Sequence, residues 1–112
     1  MAEFEKALAI SPGNIPALTG LGYAYAVAGN RTEARKTIVR LIALSKQEYV
    51  PATSLARVYA GLVEKDKAFE WLERAYAERS VGLSLLKVDP RFDPLRSDPR
   101  FADLLRRMNL QP

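Results

Sequence analysis

The sequence predicts an all-α chain of stacked antiparallel helix pairs, and three observations carry that expectation. Residue size recurs at a spacing of 34: Leu21, Gly22, Tyr25, Ala34 and Ile38 return as Leu55, Ala56, Tyr59, Ala68 and Leu72, with no insertion between the copies. Leu18 and Leu41 return smaller, as Ala52 and Ala75, and the same step backwards from Ile38 and Leu41 reaches Phe4 and Ala7. A truncated copy therefore precedes two complete ones. Second, the smallest recurring residues (Gly22 with Ala56, Ala34 with Ala68) suit the point where two helices cross most closely, since a larger side chain would part them. Third, Gly13 with Asn14, Gly29 with Asn30, and Pro51 punctuate the apolar runs. One helix pair cannot bury its own apolar face, so such pairs must stack on their neighbours.

Taken in order, Ala2–Ile10 reads as the second helix of the truncated copy, closed by Pro12 and the Gly13–Asn14 turn. Pro16 opens the next helix, because proline is tolerated in a first turn, and Gly29–Asn30 ends it near Ala28. Asn30 with Glu33 three residues on is a capping arrangement for a helix running to about Leu44. Pro51 opens a helix to about Leu62, and the polar Glu64–Asp66 turn leads into Lys67–Arg79. Trp71, the single tryptophan, falls between repeat positions Ala68 and Leu72 and is expected at the boundary between repeat and tail. Past Ser80 the period breaks. Val81–Val88 is short and apolar, and Asp-Pro-Arg-Phe then occurs twice, at Asp89–Phe92 and Asp98–Phe101. Aspartate followed by proline is an N-cap with proline at the first helical position, so each copy is expected to start a short helix. Phe101, Leu104, Leu105 and Met108 make one apolar stripe in the second, with Arg100, Arg106 and Arg107 off it.

Composition limits the chemistry. The 112 residues make one domain, and an apolar fraction of 48% is that of a globular chain. There is no cysteine and no histidine, which removes thiolate nucleophiles, sulfur-ligated metals and the usual general base at neutral pH. The carboxylates are interleaved with Lys and Arg, the pattern of a solvated helix face. No catalytic residue, metal ligand or cofactor is therefore expected, and Gly20 with Gly22 lies inside a helical pattern, not after a strand, so it is not a phosphate loop. No apolar run approaches the roughly 20 residues of a membrane span, and Met1–Ile10 has no signal-peptide core, so the chain reads as cytoplasmic. The net charge is +4. Residues 79–112 hold seven of the Lys and Arg and four of the Asp, so the repeats are nearly neutral and the tail is basic.

The pattern L-x2-L-G-x2-Y followed by A-x3-I/L at a 34-residue period resembles the tetratricopeptide repeat. The resemblance implies a right-handed α-α superhelix of about two and a half repeats with C-terminal capping helices. Residues 1–14 would be the second helix of a truncated repeat, 15–48 and 49–82 the complete repeats, and 83–112 the cap. The tail is similar to the segment after the last repeat in multidomain bacterial regulators, and the half-repeat reads as the start of a piece of a longer chain.

The function implied by the resemblance is that of a non-enzymatic scaffold for a protein or peptide partner. Its concave groove would be lined at Pro16, Thr19, Tyr23, Ala26 and Val27, and again at Val50, Thr53, Arg57, Ala60 and Gly61. Of these Thr19, Tyr23, Val27, Thr53 and Arg57 are the candidate partner-binding residues, with Tyr23 and Arg57 the anchors, since Tyr and Arg are enriched at hot spots. Some relatives clamp a C-terminal carboxylate; the matching positions here hold Pro16, Thr19, Gly20, Tyr23, Val50, Thr53, Ser54 and Arg57, a single cation and no clamp. A second reading is homodimerisation through Phe4 and Leu8 of the half-repeat. The weakest is nucleic-acid binding by the basic tail, which has no interleaved exposed aromatics.

Overall fold

A computed structural model of the chain describes residues 2–11, 13–78, 86 and 88–108. Its described elements are helical: α1 (Ala2–Ile10), α2 (Ile15–Val27), α3 (Arg31–Leu44), α4 (Ala52–Gly61), α5 (Lys65–Glu78), a 3-10 helix (Pro90–Leu95) and α6 (Pro99–Arg107). The pairs α2–α3 and α4–α5 are the two complete copies of the period, α1 packs on α2, and α2 packs on α4. Pro12, Arg79–Leu85 and Lys87 lie outside the described residues, and with them the closing proline and most of Val81–Val88.

The starts follow local chemistry. The Asn14 side chain accepts from the Ala17 N–H at 3.1 Å, and Asn30 accepts from the Glu33 N–H at 3.3 Å, so orphan donors of the first turns of α2 and α3 are satisfied. The Glu33 carboxylate turns outward to Lys36 instead of completing a reciprocal capping box. Helix α5 begins at Lys65, two residues before the sequence expectation, with the Ala68 N–H on the Glu64 carbonyl at 2.9 Å. The Glu64 side chain is held by Arg35 and Arg31 of α3.

The turns that close α2 and α4 are the same motif made from different residues. Asn30 N–H reaches Tyr25 O and Gly29 N–H reaches Ala26 O, while Glu64 N–H reaches Tyr59 O and Val63 N–H reaches Ala60 O. Both are helix ends with a left-handed residue. In the first that residue is Gly29 at φ 86°, and in the second it is Val63 at φ 59°. Left-handed backbone costs a non-glycine residue roughly 1–2 kcal/mol, and Val63 is exposed, so no packing depends on it. Val63→Gly should therefore stabilise the chain by about 1 kcal/mol after the extra unfolded-state entropy of glycine. The check is urea unfolding, with the midpoint rising at constant slope; an unchanged or lower midpoint contradicts it.

Small residues sit where the period places them. A Cβ on Gly22 would lie 2.9 Å from Thr37 Cγ2 and 3.1 Å from Val58 Cγ2, so α2, α3 and α4 meet there. Ala34, Ala56 and Ala68 are fully buried. Gly20 has a role of its own: a Cβ there would overlap the Phe4 ring, so this glycine lets α1 lie flat on α2.

The buried apolar residues form two clusters. One joins Leu18, Ile38 and Leu41 of the first pair to Leu55 and Val58 of α4. The other joins Ala56, Leu72 and Ala75 of the second pair to Leu86, Phe92, Leu95, Phe101, Leu104 and Leu105 of the tail. Trp71, expected at the edge of repeat and tail, touches both clusters together with Tyr59, and the Arg74 guanidinium lies 4.9 Å over its ring.

The two Asp-Pro-Arg-Phe copies both start helices, and Asp89 and Asp98 each accept from the N–H two residues on, at 2.9 Å. Their continuations differ because of one residue. Pro94 follows Pro90 by four, cannot donate and would clash with the carbonyl an α-helix puts there, so the first copy stops as a six-residue 3-10 helix. The second continues through Ala102–Leu105 without proline into α6. Hydrogen bonds from the Arg100 guanidinium and backbone hold the Asp98 carboxyl down at about 2. Two ion pairs of sequence separation 34, Arg100 with Asp66 and Arg107 with Glu73, tie α6 to α5. The tail thus lies one period further along the stack, with the 3-10 helix on α4 and α6 beside α5.

Candidate functional site

Packing among the repeat helices and against the tail decides which of the expected groove positions remain open. On the second copy Val50, Thr53, Ala60 and Gly61 are buried and Arg57 is only 9% exposed. Val50 packs with the first helix pair, Gly61 lies against Tyr23 and Ala26 of α2, and Ala60 joins the cluster that contains the tail. On α2, Thr19 is buried and donates its hydroxyl to the Ile15 carbonyl at 2.8 Å. Ala26 is buried, Val27 is exposed, and the half-buried Tyr23 ring lies along Gly61, where a Cβ would come within 3.0 Å of it. Gly61 is thus the complement of Tyr23.

The part that stays open is a cleft of about 470 Å³ between the first halves of α2 and α4 and the tail. Ile15, Pro16 and Thr19 line it from α2, Tyr49 and Pro51 from the segment before α4, Ser54 and Arg57 from α4, and Arg91 from the 3-10 helix. Of the sequence candidates it collects Thr19 and Arg57; Tyr23, Val27 and Thr53 are not among the lining residues. The half-repeat residues Phe4 and Leu8 are both partly buried, Phe4 against Gly20 and Leu8 against the first core cluster.

Arg91 is the residue that reading the repeats alone misses. It stands 34 positions after Arg57, so the signal was the same period carried past its apparent end. The two guanidinium groups share Asp89. Arg57 Nε donates to Asp89 Oδ2 at 3.0 Å; Arg91 donates through Nε to Oδ1 at 3.1 Å and through Nη2 to Oδ2 at 3.2 Å. The Arg91 backbone N–H adds a fourth bond to that carboxylate, and Arg96 Nη2 bonds the Asp89 carbonyl at 3.0 Å. The Arg57 guanidinium also stands 5.8 Å over the Phe92 ring, a cation–π distance.

Burial dominates the electrostatics of Arg57, pulling its pKa below the ordinary arginine value against the bond from Asp89, with Arg91 adding repulsion. Burial pushes the Asp89 carboxyl up, but the side-chain and backbone bonds from Arg91 and the bond from Arg57 together outweigh it. The carboxyl titrates below its usual range. Two cations to one anion leave the cleft wall with a surplus positive charge.

No helix among the described residues is long and apolar enough to cross a membrane. Against this geometry, a family model described as tetratricopeptide repeat matches residues 1–57, from α1 into α4. No curated protein and no solved structure matches the chain.

Proposed function

This chain belongs to the tetratricopeptide repeat family, and on that footing we propose that it is a non-enzymatic scaffold that binds a segment of a protein partner in the α2–α4–tail cleft. Repeats of this family mediate protein–protein interaction. The observation that carries the reading is the cleft itself: polar Thr19, Ser54, Arg57 and Arg91 between apolar walls from Ile15, Pro16, Tyr49 and Pro51. A concave site with mostly apolar walls and a few convergent polar groups is the general form of a binding site. The cytoplasm is the compartment we assign to it.

The working surface includes the tail, which caps the stack and contributes Arg91. Tyr23 supports the packing of α2 on α4, and Val27 is the exposed candidate outside the cleft. Self-association through Phe4 and Leu8 has less support, because both side chains already pack inside the chain. Light scattering at high protein concentration should therefore report a monomer.

Reversing the charge at Arg57 would set two carboxylates together in a buried place, so loss of binding there would report lost folding. Pro16 is exposed at the mouth of the cleft, in the first turn of α2, where an acidic residue suits the helix dipole. Affinity capture from a lysate of the source organism should retain a partner with the native chain, lose it with Pro16→Glu, and keep it with Val39→Glu on the exposed side of α3. Equal capture by all three places the working surface elsewhere.

A further inference from the structure

Arg57 is nearly buried and yet incompletely used. Its Nε bonds Asp89, while Nη1 and Nη2 have no acceptor among the described residues. No fully buried side-chain nitrogen or oxygen among the described residues lacks a partner, so those Nη groups reach solvent, and Arg57 lines the cleft. Arg91 spends Nε and Nη2 on Asp89 and leaves Nη1 without an acceptor among the described residues; its side chain is 38% exposed and lines the same cleft. No Asp or Glu stands among the described residues that line it.

We infer that the cleft takes an extended acidic segment of a partner protein, whose side-chain carboxylate accepts from the remaining Nη donors of Arg57 and Arg91 while its neighbours lie against Pro16, Tyr49 and Pro51. This rests on the reading of the cleft as the partner surface. The charge balance selects the ligand: one surplus positive charge is neutralised by one carboxylate, whereas a phosphate dianion beside Asp89 would leave an uncompensated negative charge in a partly desolvated place. Guanidinium donors in a fixed fork match a carboxylate. The apolar flanks from α2 and from the Tyr49–Pro51 segment accommodate residues on both sides of the acid, which favours a side chain within a segment over a chain end. Asp89 positions the two guanidinium groups and leaves the ligand only their outer donors.

The test is NMR titration of the full chain, following arginine Nε–Hε signals and backbone amides. The probes are the blocked peptide Ac-Ala-Pro-Glu-Pro-Ala-NH2, its Gln analogue, the Gln analogue with a free C-terminal carboxylate, and inorganic phosphate. Prolines hold the peptides extended. The Glu peptide should shift the Arg57 and Arg91 Nε–Hε signals and the Thr19 and Ser54 amides, and bind at least about tenfold tighter than the Gln analogue, a difference of about 1.4 kcal/mol. Arg91→Gln keeps the Arg57–Asp89 pair and the Arg91 backbone bond, and should lose that preference with the spectrum otherwise native; Arg91→Lys should keep part of it. Equal shifts from the Glu and Gln peptides overturn the acid preference and leave the partner reading standing. Tighter binding of the free-terminus peptide or of phosphate overturns the side-chain assignment. Absence of any cleft response to the Glu peptide, or a response that survives Arg91→Gln, overturns the inference, and the partner reading is then judged separately by the Pro16→Glu capture.

Discussion

Phe92→Ala should lower the stability of the whole chain by about 3–5 kcal/mol, the cost of emptying a fully buried aromatic site. Phe92 has no exposed surface and lies in one cluster with Ala56, Leu72 and Ala75 of the second helix pair. The loss therefore falls on the repeats as well as on the tail. Set against the 5–15 kcal/mol of an ordinary domain, it would move the thermal midpoint down by on the order of 15 °C. The measurement is thermal unfolding followed both by helix signal and by Trp71 fluorescence. One coincident transition at the lower temperature is expected. A new early transition in helix signal, with the Trp71 transition unmoved, would mean that the tail is an appendage.

The second large effect is at Asp89, where one carboxylate does three jobs. It caps the 3-10 helix, pairs with Arg57 and holds Arg91. Asp89→Ala should cost about 4 kcal/mol: about 1 for the lost cap and about 3 for leaving Arg57 nearly buried without its anion. Asp89→Asn keeps an acceptor for the cap and should cost less. Combining Asp89→Asn with Arg57→Met should recover most of that cost, since an apolar side chain of similar length has no charge to compensate. The pH dependence follows from the same carboxyl. Its folded pKa lies below the unfolded value, so the native state binds the proton less readily, and the stabilisation is complete above about pH 4. It is lost as the pH falls through the folded value. Below about pH 4, as the Asp89 carboxyl takes up its proton, the native chain should lose stability faster than Asp89→Asn. Identical slopes would show that the Asp89 pairs contribute nothing to stability.

Much of the fold was legible because a 34-residue period fixes which residues face one another. Gly22 at a close helix crossing, Asn30 as a cap and the apolar stripe of α6 follow from residue type and spacing alone. The candidate site was less legible, because it depends on packing between residues distant in sequence. Arg57 occupies a groove position by register, but whether it faces a partner depends on Asp89 arriving from 32 residues away. Val50 and Thr53 were groove positions too, but Val50 packs with the first helix pair and Thr53 is fully buried. Val63 offered a different difficulty. Its left-handed backbone is imposed by the turn, and nothing in its residue type announces it. Arg91 was within reach: the offset that turns Tyr25 into Tyr59 turns Arg57 into Arg91, even though the apolar pattern around it has lapsed.

The cleft's role as partner surface is tested most directly by site-specific photo-crosslinking in cells of the source organism. A benzophenone side chain at Pro16, at the cleft mouth, is compared with one at Val39, which is 66% exposed on α3. The account predicts a crosslinked protein partner from Pro16 that is absent from Val39, and that is lost when Arg91→Gln is added to the Pro16 variant. Crosslinks from Val39 alone, or Pro16 products indifferent to Arg91, would contradict it.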